Sequence, residues 1–288
     1  MPVAVVTDST AYLPPEPLAA HRLTVVPLTV VLNGVEGLEG VETFPADATR
    51  ALSGRRVSVS TSRPAPEQFA ATYRRLLDEG AEGIVSVHLS AELSGTVEAA
   101  RLAAAELGDR VAVVDSRSCG MGIGFPAVAA AAAAAGGADL SGVRDAAQDA
   151  VVRTTVFFYV DTLEFLRRGG RINAASALLG TALSVKPIMH MPDGAIVLKD
   201  KVRTASRGVA RLVDLAVEAA GDADVDLALH HLAAPQRAEA LREALTTRLG
   251  DRLRDTYVSE AGAVVAAHAG PGLACVVVHR RPPAATAR

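Results

Sequence analysis

The chain has 288 residues, of which 50% are hydrophobic, and a formal net charge of −3. This length can bury the core of one large domain or two ordinary ones, and the slightly acidic balance does not favour nucleic acid as a partner. The first residues lack the charged start and apolar stretch of a signal peptide, and the small-apolar run over 125–138 is too short to span a bilayer as a helix. We therefore expect a soluble, cytoplasmic protein.

The first half predicts a parallel α/β arrangement, because short apolar runs that end in polar loops alternate with amphipathic helices. The predicted strands cover residues 3–6, 23–32, 57–59, 83–89 and 111–114. The predicted helices cover residues 69–77, 97–107, 123–135 and 140–152. This pattern is typical of a doubly wound sheet, with function expected where strands end and helices begin.

The second half predicts a smaller α/β domain with a partly antiparallel sheet. Its predicted elements are a strand over 155–160, a helix over 162–168, a hairpin over 184–197 with its turn at 192–194, a helix from about 203, a strand over 225–232, a helix over 235–249, and strands near 256 and over 273–278. We place the domains at 1–150 and 151–288 and expect a frayed tail over 282–288.

Hydroxyl groups are concentrated in two segments that are expected to precede helices. One runs from Ser60 to Pro64 and includes Thr61 and Ser62; the other contains Ser94, Gly95 and Thr96. Each of these side chains on its own is typical of a helix cap. If the two segments converge, their hydroxyl and backbone N–H donors could hold a carboxylate or a phosphate. Asp8, at the end of the first strand, is either a cap or a group facing the same cleft.

A histidine and several basic residues complete the candidate groups. His268 lies beside a Gly-Pro-Gly turn and is either structural or a donor to an anion. Arg171, and Arg203 further along, are either solvated or able to meet an acidic partner or phosphate charge. Neither the histidines nor the two cysteines, Cys119 and Cys275, have metal-site spacing, so we expect no metal, and we favour free buried thiols over a disulfide.

Two motifs of well-known enzymes are missing. There is no G-x-x-x-x-G-K-[ST] phosphate-binding loop, so ATP binding by that route is not expected. There is no G-x-S-x-G nucleophile elbow, which argues against an α/β-hydrolase.

Seven segments, in this order, make the chain resemble the DegV family. They are VAVVTDST, TSRPAPEQF, LSAELSGTVEAARLAA, VVDSRSCGMGIG, LEFLRRGGRI, KPIMHMPDGAIVLKDKVRT and VVAAHAGPG. The resemblance runs from about residue 3 to residue 280. One departure is VLKDKVRT, where members often have a proline and a glutamate, which puts Lys199 and Asp200 in doubt as functional positions.

The resemblance implies a two-domain α/β fold that buries a long-chain fatty acid between the domains, without cofactor or metal. It also implies that the protein presents the carboxylate of this acid to a separate fatty-acid kinase for lipid synthesis. It implies that the carboxylate is bound by Thr61, Ser62, Ser94 and His268, with Gly95, Thr96 and Asp8 as secondary ligand-site candidates. It implies that Arg171 and Arg203 contact the kinase. Contact with a membrane surface is expected to be transient at most.

Burial of the acyl tail fits a carrier without turnover of its own. Each buried methylene contributes about 0.8 kcal/mol, so a chain of about fifteen gains on the order of 12 kcal/mol before costs. The alternative is an independent hydrolase or transferase that acts on an acyl or phosphorylated substrate through His268 and a cleft serine. A regulatory module that senses lipid would use the same pocket.

Overall fold

Strands and helices alternate along the first half of the computed structural model, which describes residues 3–53, 59–172 and 185–283. In chain order they are β1 (Val3–Asp8), α1 (Pro15–Ala20), β2 (Thr24–Val26), β3 (Thr29–Leu32), β4 (Val35–Leu38), α2 (Pro45–Ser53), β5 (Val59–Ser62), α3 (Pro66–Asp78), β6 (Gly83–His88), α4 (Thr96–Ala105), β7 (Val111–Asp115), α5 (Met121–Ala135) and α6 (Leu140–Val152).

The main sheet of this half is parallel, in the order β2-β1-β6-β7. Successive side chains of a strand point to opposite faces, and both faces of this sheet are covered. Val5 and Val85 pack on the side of α5 and α6. Val6 and Ile84 pack on the side of α3 and α4. The prediction of a doubly wound parallel sheet is therefore confirmed.

A second, antiparallel sheet in this half was not predicted. Its strands lie in the order β4-β3-β5. The stretch 23–32, predicted as one strand, is divided between the two sheets at Pro27, which lacks the N–H that a continuous ladder needs. Asn33 and Gly34, both with positive φ, form the tight turn between β3 and β4.

The position of β5 also differs from the prediction. Of the predicted strand 57–59, residues 57 and 58 lie outside the described residues, and the described strand runs from Val59 to Ser62. Thr61 and Ser62 are therefore strand residues paired with β3, not loop residues at the start of a helix. The segment forms a strand because β3 supplies its backbone hydrogen-bond partners, although its polar composition does not predict a strand.

The second half contains one mixed sheet. Its elements are β8 (Thr154–Tyr159), α7 (Glu164–Arg168), β9 (Lys186–His190), β10 (Val197–Val202), α8 (Ala205–Ala220), β11 (Val225–His231), α9 (Pro235–Leu249), β12 (Leu253–Glu260), α10 (Ala263–Ala269) and β13 (Ala274–Arg280). The strand order is β10-β9-β8-β13-β11-β12, with only β11 and β12 parallel among the described pairs. The predicted partly antiparallel sheet is confirmed, including the β9–β10 hairpin, although residue 184 lies outside the described range.

Helix α5 lies between the two large sheets. It contacts β1 and β6 of the parallel sheet and β8 and β13 of the mixed sheet. This explains its composition, because a helix that is buried on every side is apolar all round. The buried cluster continues through α5 from Val5 to Val277. The boundary proposed at residue 150 falls in the last turn of α6 and stays a prediction.

The described residues contain neither a membrane-spanning helix nor a metal-binding cluster. Within 3–53, 59–172 and 185–283, no helix has both the length and the apolar character needed to cross a bilayer. In the same ranges, His, Cys, Asp and Glu side chains form no group of three or more that could hold a metal ion. The expectation that the protein uses no metal stays a prediction.

Candidate ligand-binding site

A cavity of about 110 Å³ lies where the three sheets meet. Residues that follow β1, β6 and β7 line it on one side, so it lies at the carboxyl edge of the parallel sheet, where α/β proteins commonly bind ligands. The small sheet, the mixed sheet and α10 supply the other walls.

Most of the wall is apolar. Aliphatic and aromatic side chains from both halves of the chain contribute to it, and so do the two cysteines, which are free thiols. Burial raises the pKa of Cys119 to about 12, so this thiol stays protonated and behaves as a small apolar group. The apolar lining includes Leu28, Leu89, Leu93, Phe158, Leu166, Ile196, Val264, Leu273 and Cys275. Such a surface fits a hydrocarbon chain.

Polar groups from distant segments meet in the part of the cavity wall around Thr61 and His268, next to the exposed residues Ser62 and Arg63, and we call this part the mouth. Thr61 of β5 and His268 in the last turn of α10 line it, with 2.9 Å between Thr61 Oγ1 and His268 Nε2. The other ring nitrogen, Nδ1, faces Gly169 so closely that a Cβ built there would overlap it. Within the described residues, this nitrogen is buried without a hydrogen-bond partner.

The His268 imidazole is neutral near pH 7. Burial, reinforced by the nearby positive charge of Arg171, lowers the pKa of His268 to about 4. A neutral imidazole has one N–H donor and one acceptor nitrogen. His268 could therefore orient an anion through one hydrogen bond, but it would not neutralise the anion's charge.

Ser94 brings a second hydroxyl to the mouth. It lines the cavity just before Gly95, the cap residue of α4, and its Oγ lies 2.9 Å from Thr96 Oγ1. Thr96 is fully buried and does not line the cavity, so it acts behind Ser94. Ser62 lines the cavity beside Thr61. The structure thus brings together all four predicted carboxylate-binding residues, although their role stays a prediction.

The two predicted partner-contact arginines occupy different places. Arg171 lines the mouth, and its guanidinium donates hydrogen bonds to the backbone carbonyls of Leu93, at 3.2 Å, and Gly169. Arg203 is exposed between β10 and α8 and is not among the cavity-lining residues. Arg171 is thus half-buried at the mouth, whereas Arg203 is exposed elsewhere on the surface.

Asp8 lies behind the cavity wall. Its carboxylate accepts hydrogen bonds from Thr10 N at 3.0 Å and Leu89 N at 2.9 Å, and it lies 3.1 Å from His88 Nδ1. His88 Nε2 is in turn 2.6 Å from Ser86 Oγ. Thr10 and Leu89 line the cavity, but Asp8 does not. The structure therefore gives Asp8 the capping position, from which it fixes two segments of the wall.

Sequence reasoning missed a buried glutamate that holds α10. Glu39 accepts hydrogen bonds from Ser9 Oγ at 2.6 Å, Tyr12 Oη at 3.2 Å and Val264 N at 2.8 Å. Tyr12 Oη also accepts from Val265 N at 3.1 Å. Burial raises the pKa of Glu39. Residues from the first half of the chain thus accept hydrogen bonds from two amides in the first turn of α10. No local sequence motif predicts such a long-range cap.

His230 lines the cavity and was also not predicted as a site residue. It is buried on β11, with Nε2 accepting from Met121 N at 2.9 Å and Nδ1 lying 2.9 Å from Ser259 Oγ. Burial lowers the pKa of His230 to about 4. Both ring nitrogens are therefore engaged with the protein, which suits a neutral wall residue.

Comparisons with known proteins agree along the whole chain. A family model described as "Uncharacterised protein, DegV family" matches residues 2–281. A DegV domain-containing protein of Streptomyces coelicolor is 53% identical over 279 residues, which are 97% of this chain and 99% of that protein. A DegV family protein of Thermus thermophilus, described by its fatty acid binding, superposes with a TM-score of 0.92 at 32% identity, covering 98% of this chain and 100% of that one. DegV of Bacillus subtilis, described as a fatty acid binding protein, superposes with a TM-score of 0.87 at 29% identity and covers 98% of this chain and 100% of its own.

Proposed function

Because the chain belongs to the DegV family, we propose that it binds one long-chain fatty acid in the cavity, with the carboxylate at the mouth. The observation that carries this proposal is a mostly apolar wall together with a cluster of hydroxyl and imidazole groups around Thr61 and His268. Two relatives of similar fold are described as fatty acid binding proteins, which supports it. The head group would contact Thr61, Ser62, Ser94 and His268.

The tail and the head group would have separate tasks. Burial of the tail contributes about 0.8 kcal/mol per methylene and retains the ligand. The hydroxyl donors and the neutral His268 orient the carboxylate, and hydrogen bonds to its charged form favour ionisation. An ionised carboxylate held near the surface is a competent nucleophile for a second protein.

The protein would present this carboxylate to a separate fatty-acid kinase in the cytoplasm. A carboxylate oxygen would attack the γ-phosphorus of ATP held by the kinase, forming a new O–P bond while the bond to ADP breaks. The products are an acyl-phosphate, usable for phospholipid synthesis, and ADP. Arg171 at the mouth and the exposed Arg203 would contact the kinase, and this chain would have no turnover alone.

Lipid analysis of the purified protein tests the binding step. Mass spectrometry after solvent extraction should find one fatty acid per chain, and delipidated protein should take up added palmitate. Ser94→Ala should weaken uptake. If no acid co-purifies and none is taken up, the proposal fails.

Reconstitution with a fatty-acid kinase and ATP tests the presentation step. Acyl-phosphate should form only when both proteins are present. Arg203→Ala should lower the rate of phosphorylation while leaving palmitate binding within about twofold. A variant that lost palmitate instead would contradict the assigned role.

The enzymatic alternative needs a hydroxyl activated by His268. Thr61, not a serine, is the hydroxyl within hydrogen-bond distance of His268. Among the described residues, no carboxylate bonds to His268 Nδ1 to orient the ring, as an acid–base pair would require. Hydrolysis of an acyl ester or acyl-phosphate by the protein alone would support this alternative.

A further inference from the structure

Arg63 is a second cation at the mouth, in addition to Arg171. It directly follows β5, lines the cavity, and is exposed. Its guanidinium lies over Gly95, close enough that a Cβ built on Gly95 would overlap Nη1 and lie 3.0 Å from Cζ. A glycine at position 95 therefore gives the guanidinium its place beside Ser94.

The charge of Arg63 is uncommitted. Within residues 3–53, 59–172 and 185–283, its guanidinium forms no hydrogen bond or ion pair. Arg171 likewise has no acidic partner in these ranges, but two of its five N–H donors are bonded to backbone carbonyls. Of these two arginines at the mouth, Arg63 is thus the more exposed one and has the larger number of donors left for a ligand.

The mouth is layered from inside to outside. Thr61 and His268 are half-buried, whereas Ser62 and Arg63 are exposed. A carboxylate bound by the inner pair would leave Arg63 further out. A group attached to the carboxylate oxygen would extend outward and meet this arginine.

Resting on the proposed function, we propose that Arg63 binds the phosphate of the acyl-phosphate product and makes the site selective for a phosphorylated head group. A phosphate monoester carries nearly two negative charges near neutral pH and matches the planar donor fork of a guanidinium. His268 is neutral and cannot supply the second positive charge. The ligand class is therefore a long apolar chain that ends in a phosphate dianion.

Affinities for two ligands of equal chain length test this proposal. Palmitate and hexadecyl phosphate, a stable phosphate monoester, would be titrated into delipidated wild-type protein, Arg63→Ala, Arg63→Lys and the matched control Arg101→Ala. Arg101 is an exposed arginine of α4 that does not line the cavity. Titrations at about 50 and about 300 mM NaCl separate the charge contribution, which salt screens.

We expect Arg63→Ala to weaken hexadecyl phosphate by about 5- to 10-fold and palmitate by less than about 2-fold. The affinity of Arg63→Lys for hexadecyl phosphate should lie between those of wild type and Arg63→Ala, and the affinity of Arg101→Ala should equal that of wild type. Added salt should weaken the binding of hexadecyl phosphate more in wild type than in Arg63→Ala. Equal losses for both ligands, or no loss for either, overturn the proposal. An unchanged melting temperature of Arg63→Ala shows that folding is not the cause.

The same titrations separate this inference from the proposed function. If wild type binds hexadecyl phosphate through Arg63 but does not bind palmitate, the arginine proposal stands and the fatty-acid proposal fails. If wild type binds palmitate, and Arg63→Ala has the same ratio of affinities for hexadecyl phosphate and palmitate as wild type, only the fatty-acid proposal stands. If wild type binds neither ligand, both fail.

Discussion

Thr61 Oγ1 and His268 Nε2 lie 2.9 Å apart although 207 residues separate them in the chain. The threonine belongs to the small antiparallel sheet, and the histidine to a seven-residue helix that connects β12 to β13 and packs against β3 and β5. Their contact therefore links the small sheet to the connection between two strands of the mixed sheet. Both residues line the cavity mouth, so in the proposed complex a change in either would alter the contact with the carboxylate.

Thr61→Val tests the hydrogen bond with little change of shape. Loss of one hydroxyl should weaken palmitate binding by about 10- to 150-fold, because a hydrogen bond to a charged group contributes about 1.5–3 kcal/mol. Binding of hexadecanol, which has no carboxylate, should change much less. Competition against a fluorescent fatty acid measures both. Equal losses for acid and alcohol would contradict a head-group role for Thr61.

Two neighbouring glycines offer a matched pair of variants. Gly169 has φ −73°, which any residue adopts, but an added Cβ would overlap His268 Nδ1. Gly170 has φ +70°, with nothing within 4 Å of an added Cβ. Gly169→Ala should therefore displace the imidazole and weaken palmitate binding by about tenfold, with backbone strain absent. Gly170→Ala should lower stability by about 1 kcal/mol and spare binding. Calorimetry of both variants checks the contrast.

Glu39 should be required for stability and for the position of α10. Glu39→Ala leaves the Val264 amide and two hydroxyls without their acceptor, so the free energy of unfolding should fall by about 2 to 4 kcal/mol. Glu39→Gln keeps one acceptor oxygen and should lose less. Urea denaturation measures the change, and the palmitate-to-hexadecanol affinity ratio of the folded variants reports on His268. A ratio equal to that of wild type would contradict the link through α10.

Three histidines should make stability depend on pH. Burial lowers the pKa of His230, His268 and His279 to about 4, so the unfolded chain, with a histidine pKa near 6.5, binds protons more readily than the folded one. Their contribution is complete above about pH 6.5 and is lost as the pH falls toward 4. Glu39 acts in the opposite direction, because burial raises its pKa.

The contribution of one histidine can be isolated by substitution. Between pH 7 and pH 5, wild type should lose on the order of 1 kcal/mol per histidine in unfolding free energy. His279→Gln should remove one such share, and this difference between variants is independent of Glu39. Urea midpoints at the two pH values provide the measurement. Identical pH slopes in wild type and His279→Gln would show that His279 does not take part.

The sequence predicted most of the regular structure because the two large sheets follow local rules. Helix α9 occupies its predicted range, and the β9–β10 hairpin forms around the Pro-Asp-Gly turn. The small sheet was missed for a physical reason. Strands β4 and β5 have weak apolar alternation, and their pairing with β3 depends on tertiary contacts rather than on their own composition.

Some residues at and around the mouth could likewise be predicted from the sequence, and others could not. Ser94 and His268 could be singled out because each lies in a distinctive polar or glycine-rich segment. Glu39 and Tyr12 could not, because their importance arises from amides of α10 that lie more than two hundred residues away. Arg63 was visible in the sequence, but its closeness to Gly95 depends on how β5 and α4 approach each other.

The final strand, β13, lies between β8 and β11 in the middle of the mixed sheet. During synthesis, a nascent chain that ends before residue 274 has the edges of this sheet without its centre, and it lacks a wall of the cavity. Because β13 joins β8 to β11, the mixed sheet and its part of the cavity wall cannot form until this strand has been made. A stop codon that removes β13 would abolish the folded protein instead of trimming a dispensable tail.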